Sequence, residues 1–151
     1  MQGTNYKKTY GVITLLFVLP LLGIGMLIIE SDSYFWHLVY IAGCLSGAGL
    51  IIATYCTRCN CRANCNHILP GRLASLLPKP KSETYTPATY SIVALSLMFI
   101  VLFPLLWAHH HLFMVMVFLI GWSLNYLIIR FKICSGCLNR RCPLARNAQN
   151  S

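Results

Sequence analysis

Seven of the eight cysteines gather in two short segments: Cys56, Cys59, Cys61 and Cys65 in the first, Cys134, Cys137 and Cys142 in the second. His67 stands two residues beyond Cys65. Each segment opens on a Cys-x2-Cys pair, a spacing that lets two thiolates hold one metal ion with little strain. The second segment offers only three sulfurs. A four-ligand centre built on it needs a ligand from elsewhere, and Cys56, Cys59, Cys61, Cys65 or His67 can supply it.

Two metals suit this donor set. Zinc is the general partner of paired Cys-x2-Cys knuckles, and the cysteines together with His67 would suffice for two zinc ions. An iron–sulfur cluster is the sharper alternative. The first segment is one residue short of the bacterial ferredoxin run, and Cys142 is followed by Pro143, as the last cysteine of that run is. Arg58, Arg62, Arg140 and Arg141 would offset thiolate charge for either metal. Thiol redox chemistry without a metal is the third reading.

A second group comprises His37, His109, His110 and His111, set beside Trp36 and Trp107. A haem, copper or quinone site is one reading of these residues, and with a cluster elsewhere it would form an electron path. Interfacial residues at the starts of helices are the plainer alternative.

The elements that carry these residues follow from hydropathy. Only 10% of the 151 residues are charged and 57% are hydrophobic, with a mean hydropathy of +0.64. This composition excludes disorder and an ordinary soluble domain, which carries about a quarter charged residues. Four stretches are long enough to cross a bilayer, at about Tyr10–Ile29, Tyr34–Tyr55, Tyr90–Trp107 and Leu112–Ile129. In hydrocarbon each must be a helix, because the backbone finds no other partners there. Pro20 and Pro104 predict local kinks. The first stretch is too long for a signal peptide, and the residues after it offer no small-x-small cleavage site. The expected fold is therefore an all-α integral membrane protein with four transmembrane helices and a cytoplasmic cysteine-rich metal site. Its segments run 1–9, 10–55, 56–89, 90–131 and 132–151.

Orientation follows from charge. All 12 Lys and Arg precede the first stretch, lie between the second and third, or follow the fourth. The positive-inside rule places those segments, and both ends of the sequence, in the cytoplasm of what reads as a bacterial inner membrane. A reducing compartment then disfavours disulfides in both cysteine segments. The net charge of +9 is accounted for by topology and anionic lipid, so no nucleic-acid partner is expected.

The two halves resemble each other. Phe17-Val-Leu-Pro20-Leu-Leu and Leu102-Phe-Pro104-Leu-Leu each precede a helix that ends in a cysteine triplet. The expectation is two parallel two-helix repeats about an axis along the membrane normal; convergent use of common apolar residues is the alternative. The small residues Gly43-Cys-Leu-Ser-Gly47-Ala-Gly49 predict close helix contact, against the fourth span or a second copy. Cys44 reads as a small buried apolar side chain, and Asn125 as a hydrogen-bond partner for a neighbouring helix. Leucines among prolines and basic residues predict a short amphipathic turn near Arg72–Leu77 on the inner membrane surface, with a solvated linker as the alternative.

No phosphate loop or nucleophile elbow is present, and the three carboxylates, Glu30, Asp32 and Glu83, include no pair placed for acid–base work at the cysteine cluster. The Asp-His-His-Cys motif of palmitoyl-transferases is missing, and quinone-linked thiol oxidases carry their reactive cysteines on the outer side, opposite to the side expected here. Two function classes remain. One is a metal-binding subunit or assembly factor that docks with other membrane-protein subunits. The other is an iron–sulfur protein passing electrons to a quinone or redox partner.

Overall fold

The computed structural model describes residues 3–29, 33–59, 65, 68–78, 80, 84–109 and 111–134. The described residues are helical or in short connections. Five α-helices run in the order α1 (Gly3–Ile28), α2 (Tyr34–Thr54), α3 (Ile68–Leu76), α4 (Pro87–Leu102) and α5 (Leu112–Ile128). Tight 3-10 turns extend α2 at Cys56–Arg58 and α4 at Pro104–Trp107, and a wider π turn extends α5 at Ile129–Ile133. Four of these units are long and apolar enough to cross a membrane: Thr9–Ile28, Tyr34–Arg58, Pro87–Trp107 and Leu112–Ile133. The four expected spans are therefore present, and the fourth is about a turn longer than the sequence indicates.

Local chemistry sets the helix starts. Ser33 caps α2 by accepting from the Phe35 N–H at 3.3 Å. Thr86 caps α4 by accepting from the Thr89 N–H at 3.4 Å, with Pro87 in the first turn. A proline there gives up an N–H that would have no helical partner anyway.

Large apolar side chains stand exposed along every span, among them Leu16, Leu27, Leu45, Leu95, Met116 and Ile120. In water such a surface would aggregate; against acyl chains it matches its surroundings. With no hydrophobic drive between helices in lipid, close packing of small residues decides the pairing. The most extensive contacts are α2 on α4 and α1 on α5. A Cβ on Gly43 would strike the Phe99 ring, one on Gly47 would lie 3.3 Å from the Ser96 Cβ, and one on Gly121 would strike Leu21. At Gly43 and Gly47 the small-residue face of α2 thus meets the third span rather than the fourth. Ser96 opposite Gly47 lets the two backbones approach, and that complementarity is invisible to hydropathy.

The prolines behave differently from each other. α1 runs through Pro20 as one helix. Pro104 ends the α-helical hydrogen bonding of α4, and the chain continues as a 3-10 turn through Trp107. Pro104 has no N–H to offer the Ile100 carbonyl four residues back. The Tyr40 hydroxyl, from α2, donates to that carbonyl instead at 3.2 Å. Tyr40 is 1% exposed and stacks on Phe103 with ring centroids 5.9 Å apart. Gly25 of α1 makes room for it: a Cβ there would come within 2.5 Å of the hydroxyl. Trp36, Phe103 and Trp107 pack above as an aromatic cluster.

Candidate metal centre

The first Cys-x2-Cys is built on the turn that ends α2. The Cys59 N–H donates to the Cys56 carbonyl at 3.1 Å, closing a 3-10 turn over Cys56–Arg58. A turn with three residues per repeat brings positions i and i+3 to the same side, which suits two thiolates sharing a ligand. Both cysteines are half-buried. Thr57, between them, is 3% exposed, and its hydroxyl donates to the Ala53 carbonyl at 2.6 Å. Arg58 donates from Nε to the Thr54 carbonyl at 3.1 Å and from Nη1 to the Thr84 carbonyl at 2.8 Å. It thereby ties the cysteine turn to the segment that leads into α4. Tyr55, Tyr85 and Tyr90 pack as tilted rings across the same junction, with successive centroids 4.8 and 6.1 Å apart. Aromatic residues of this kind mark a membrane–water boundary.

Cys134 is reached through a π-helical turn at Ile129–Ile133. Its N–H donates to the Ile129 carbonyl, five residues back. The widened turn sets Cys134 back by one residue's rotation, about 100°, relative to a continuing α-helix. Ile133 is buried at 2% exposure, Cys134 is half-buried, and Arg130 donates to the Tyr126 hydroxyl at 3.0 Å. This turn packs on α1, whereas the Cys56–Arg58 turn packs on α3. α1 is common to both, since it also packs on α3.

Cys65 is half-buried. Cys61, His67, Cys137 and Cys142 lie outside the described residues. Among the described residues no three His, Cys, Asp or Glu gather as a metal site. The donor chemistry fits zinc or iron–sulfur on the thiolates, with Cys56 and Cys59 placed together on one turn and Cys134 at the end of another.

The histidines divide among three settings. His37 is half-buried in the first turn of α2, with its Nδ1 buried and its ring 6.4 Å from Tyr34. His111 occupies the N-cap of α5 without a side-chain capping bond, and His109 is exposed. His110 lies outside the described residues. Cys44 is buried, as its sequence context indicates. Asn125 is buried at 3% exposure, but its Oδ1 makes no hydrogen bond to a neighbouring helix. The buried hydroxyl of α1, on Thr14, donates instead to the Tyr10 and Gly11 carbonyls of its own helix.

Sequence reasoning missed Tyr40, the Arg58 tie and the π turn. Arg58 carried a weak signal, as a cation inside a cysteine turn. Nothing in the sequence links Tyr40 to a carbonyl 60 residues away. Set against known protein families, characterised proteins and solved structures, the chain matches none.

Proposed function

We propose that this protein is a metal-binding membrane subunit or assembly factor, in which the two cysteine groups share a thiolate-ligated zinc or iron–sulfur centre at the cytoplasmic surface. The observation that carries the reading is the placement of Cys56 and Cys134. Cys56 opens the 3-10 turn that ends one membrane-length helix, Cys134 directly follows the π turn that ends another, and each begins a Cys-x2-Cys.

The packing supports a parallel repeat. A 78-residue shift brings Cys56 onto Cys134, Gly43 onto Gly121 and Tyr40 onto Phe118. Both glycines sit at close crossings, and both aromatic residues are buried. Exchanging the halves also exchanges the α2–α4 pair with the α5–α1 pair. A metal shared by the two triplets would staple the halves together at one end, and its binding energy would become folding energy. Zinc there would be structural. An iron–sulfur cluster would carry one-electron chemistry, and the ferredoxin-like spacing with Cys142-Pro143 favours that second reading.

The test is protein purified without oxygen and analysed for zinc, iron and acid-labile sulfide, alongside a Cys134→Ser, Cys137→Ser variant. Metal content should fall in the variant, and Cys56–Cys65 should become reactive toward a maleimide in native membranes. Full metal retention with unchanged labelling would refute the shared centre. Broad absorbance near ~400 nm identifies the iron–sulfur form, and a colourless zinc protein the structural one.

A further inference from the structure

α3 presents two unlike faces. Gly71 and Ala74 are buried, Ala74 completely, and the helix packs on α1, α2 and the Cys56–Arg58 turn. Leu69, Leu73 and Leu76 are 49%, 41% and 82% exposed, and Leu77 just beyond is 38% exposed. In projection the three helical leucines share an arc of about 60°, on the side away from Gly71 and Ala74. Arg72 is exposed at the edge of the leucine arc. No acidic residue occurs between Asp32 and Glu83, while Arg58, Arg62, Arg72, Lys79 and Lys81 all fall there. The small-residue face thus accounts for how α3 attaches to the bundle, and the leucine face is left over.

We infer that the leucine face of α3 seats on the anionic phospholipid surface of the leaflet at the cysteine-bearing ends of the helices. Three observations select this occupant. α3 rests on the turn that ends a membrane-length helix, so it lies where the bilayer surface begins. Its exposed face is a narrow apolar stripe, the form that inserts among acyl chains at an interface. The sequence on either side of it, from Arg58 to Lys81, is basic and carries no carboxylate, which complements anionic headgroups. Because α3 also packs on the Cys56–Arg58 turn, lipid contact braces the first Cys-x2-Cys from below. The inference requires the membrane-spanning fold but no metal.

The experiment uses the full chain in vesicles of phosphatidylcholine, with or without phosphatidylglycerol. A photoreactive benzoylphenylalanine replaces Leu73, or Ser75 as an exposed control on another face. Illumination should give lipid adducts at position 73 and few at 75. The yield at 73 should be higher with phosphatidylglycerol, and Arg72→Glu should lower that gain about fivefold. Cross-linked dimers at 73 would overturn the lipid assignment in favour of a second copy. So would equal lipid adducts at 73 and 75, or none at either. A yield at 73 indifferent to phosphatidylglycerol would overturn the anionic preference. The Ser75 probe and the helix content of each variant show that the fold survives.

Discussion

Tyr40→Phe removes one oxygen, which also meets the Cys44 thiol, and with it the bond that replaces the one Pro104 cannot make. The ring keeps its burial and its stack on Phe103, so packing changes little. What is lost is the hydroxyl that donates to the Ile100 carbonyl at 3.2 Å. Two scales bear on the cost. Interhelical hydrogen bonds in membranes average about 0.6 kcal/mol and reach about 1.7. A buried acceptor left without a partner costs about 1–3 kcal/mol. The distance is at the long end for a hydroxyl donor, which favours the lower part of the range. The expected loss is about 1 kcal/mol, or about fivefold in the folded-to-unfolded ratio. Pro104→Ala supplies the missing N–H to the same carbonyl. In that background Tyr40→Phe should cost under about 0.5 kcal/mol. Equilibrium unfolding in mixed micelles, followed by circular dichroism, gives all four corners of the cycle. Equal costs in the two backgrounds, within the ~0.3 kcal/mol expected of independent sites, would refute the link between Tyr40 and Pro104.

Further expectations follow from the helix crossings and the charge pattern. Gly43→Leu and Gly121→Leu should each destabilise the bundle by about 1–3 kcal/mol in the same unfolding assay. Gly49→Leu, where an added Cβ meets nothing within 4 Å, should be near neutral. Equal effects at Gly43 and Gly49 would contradict the α2–α4 packing. For orientation, reporter fusions after Ser151 and in the connection around Ser33 should give opposite signals, with Ser151 on the cytoplasmic side. A lumenal or periplasmic signal at Ser151 would reverse the assignment and remove the case for reduced cysteines.

Several features were legible because they rest on local composition. The spans at Tyr34 and Leu112 begin where the apolar runs begin, since a chain in hydrocarbon must close its own backbone hydrogen bonds. The short helix α3 appears where leucines recur among basic residues, although it starts four residues earlier than the amphipathic turn expected at Arg72. The Cys-x2-Cys at the end of the second span was legible from spacing, but the 3-10 turn that carries it was not. Cys61, His67, Cys137 and Cys142, expected as donors from the sequence, lie outside the described residues, and the metal test addresses them.

The amino-acid sequence by itself determined the four apolar spans and the contact face at Gly43 and Gly47. Tertiary structure alone decided which helix meets which, because every span is apolar all round and lipid rewards no pairing over another. The choice falls to shape, in Gly43 against Phe99 and Gly121 against Leu21. Tertiary structure also decided that Pro104 ends an α-helix with its orphaned carbonyl satisfied, since the donor is Tyr40, brought from another span. A carbonyl freed in hydrocarbon has no water to turn to, so only a neighbouring side chain at the right height can complete it.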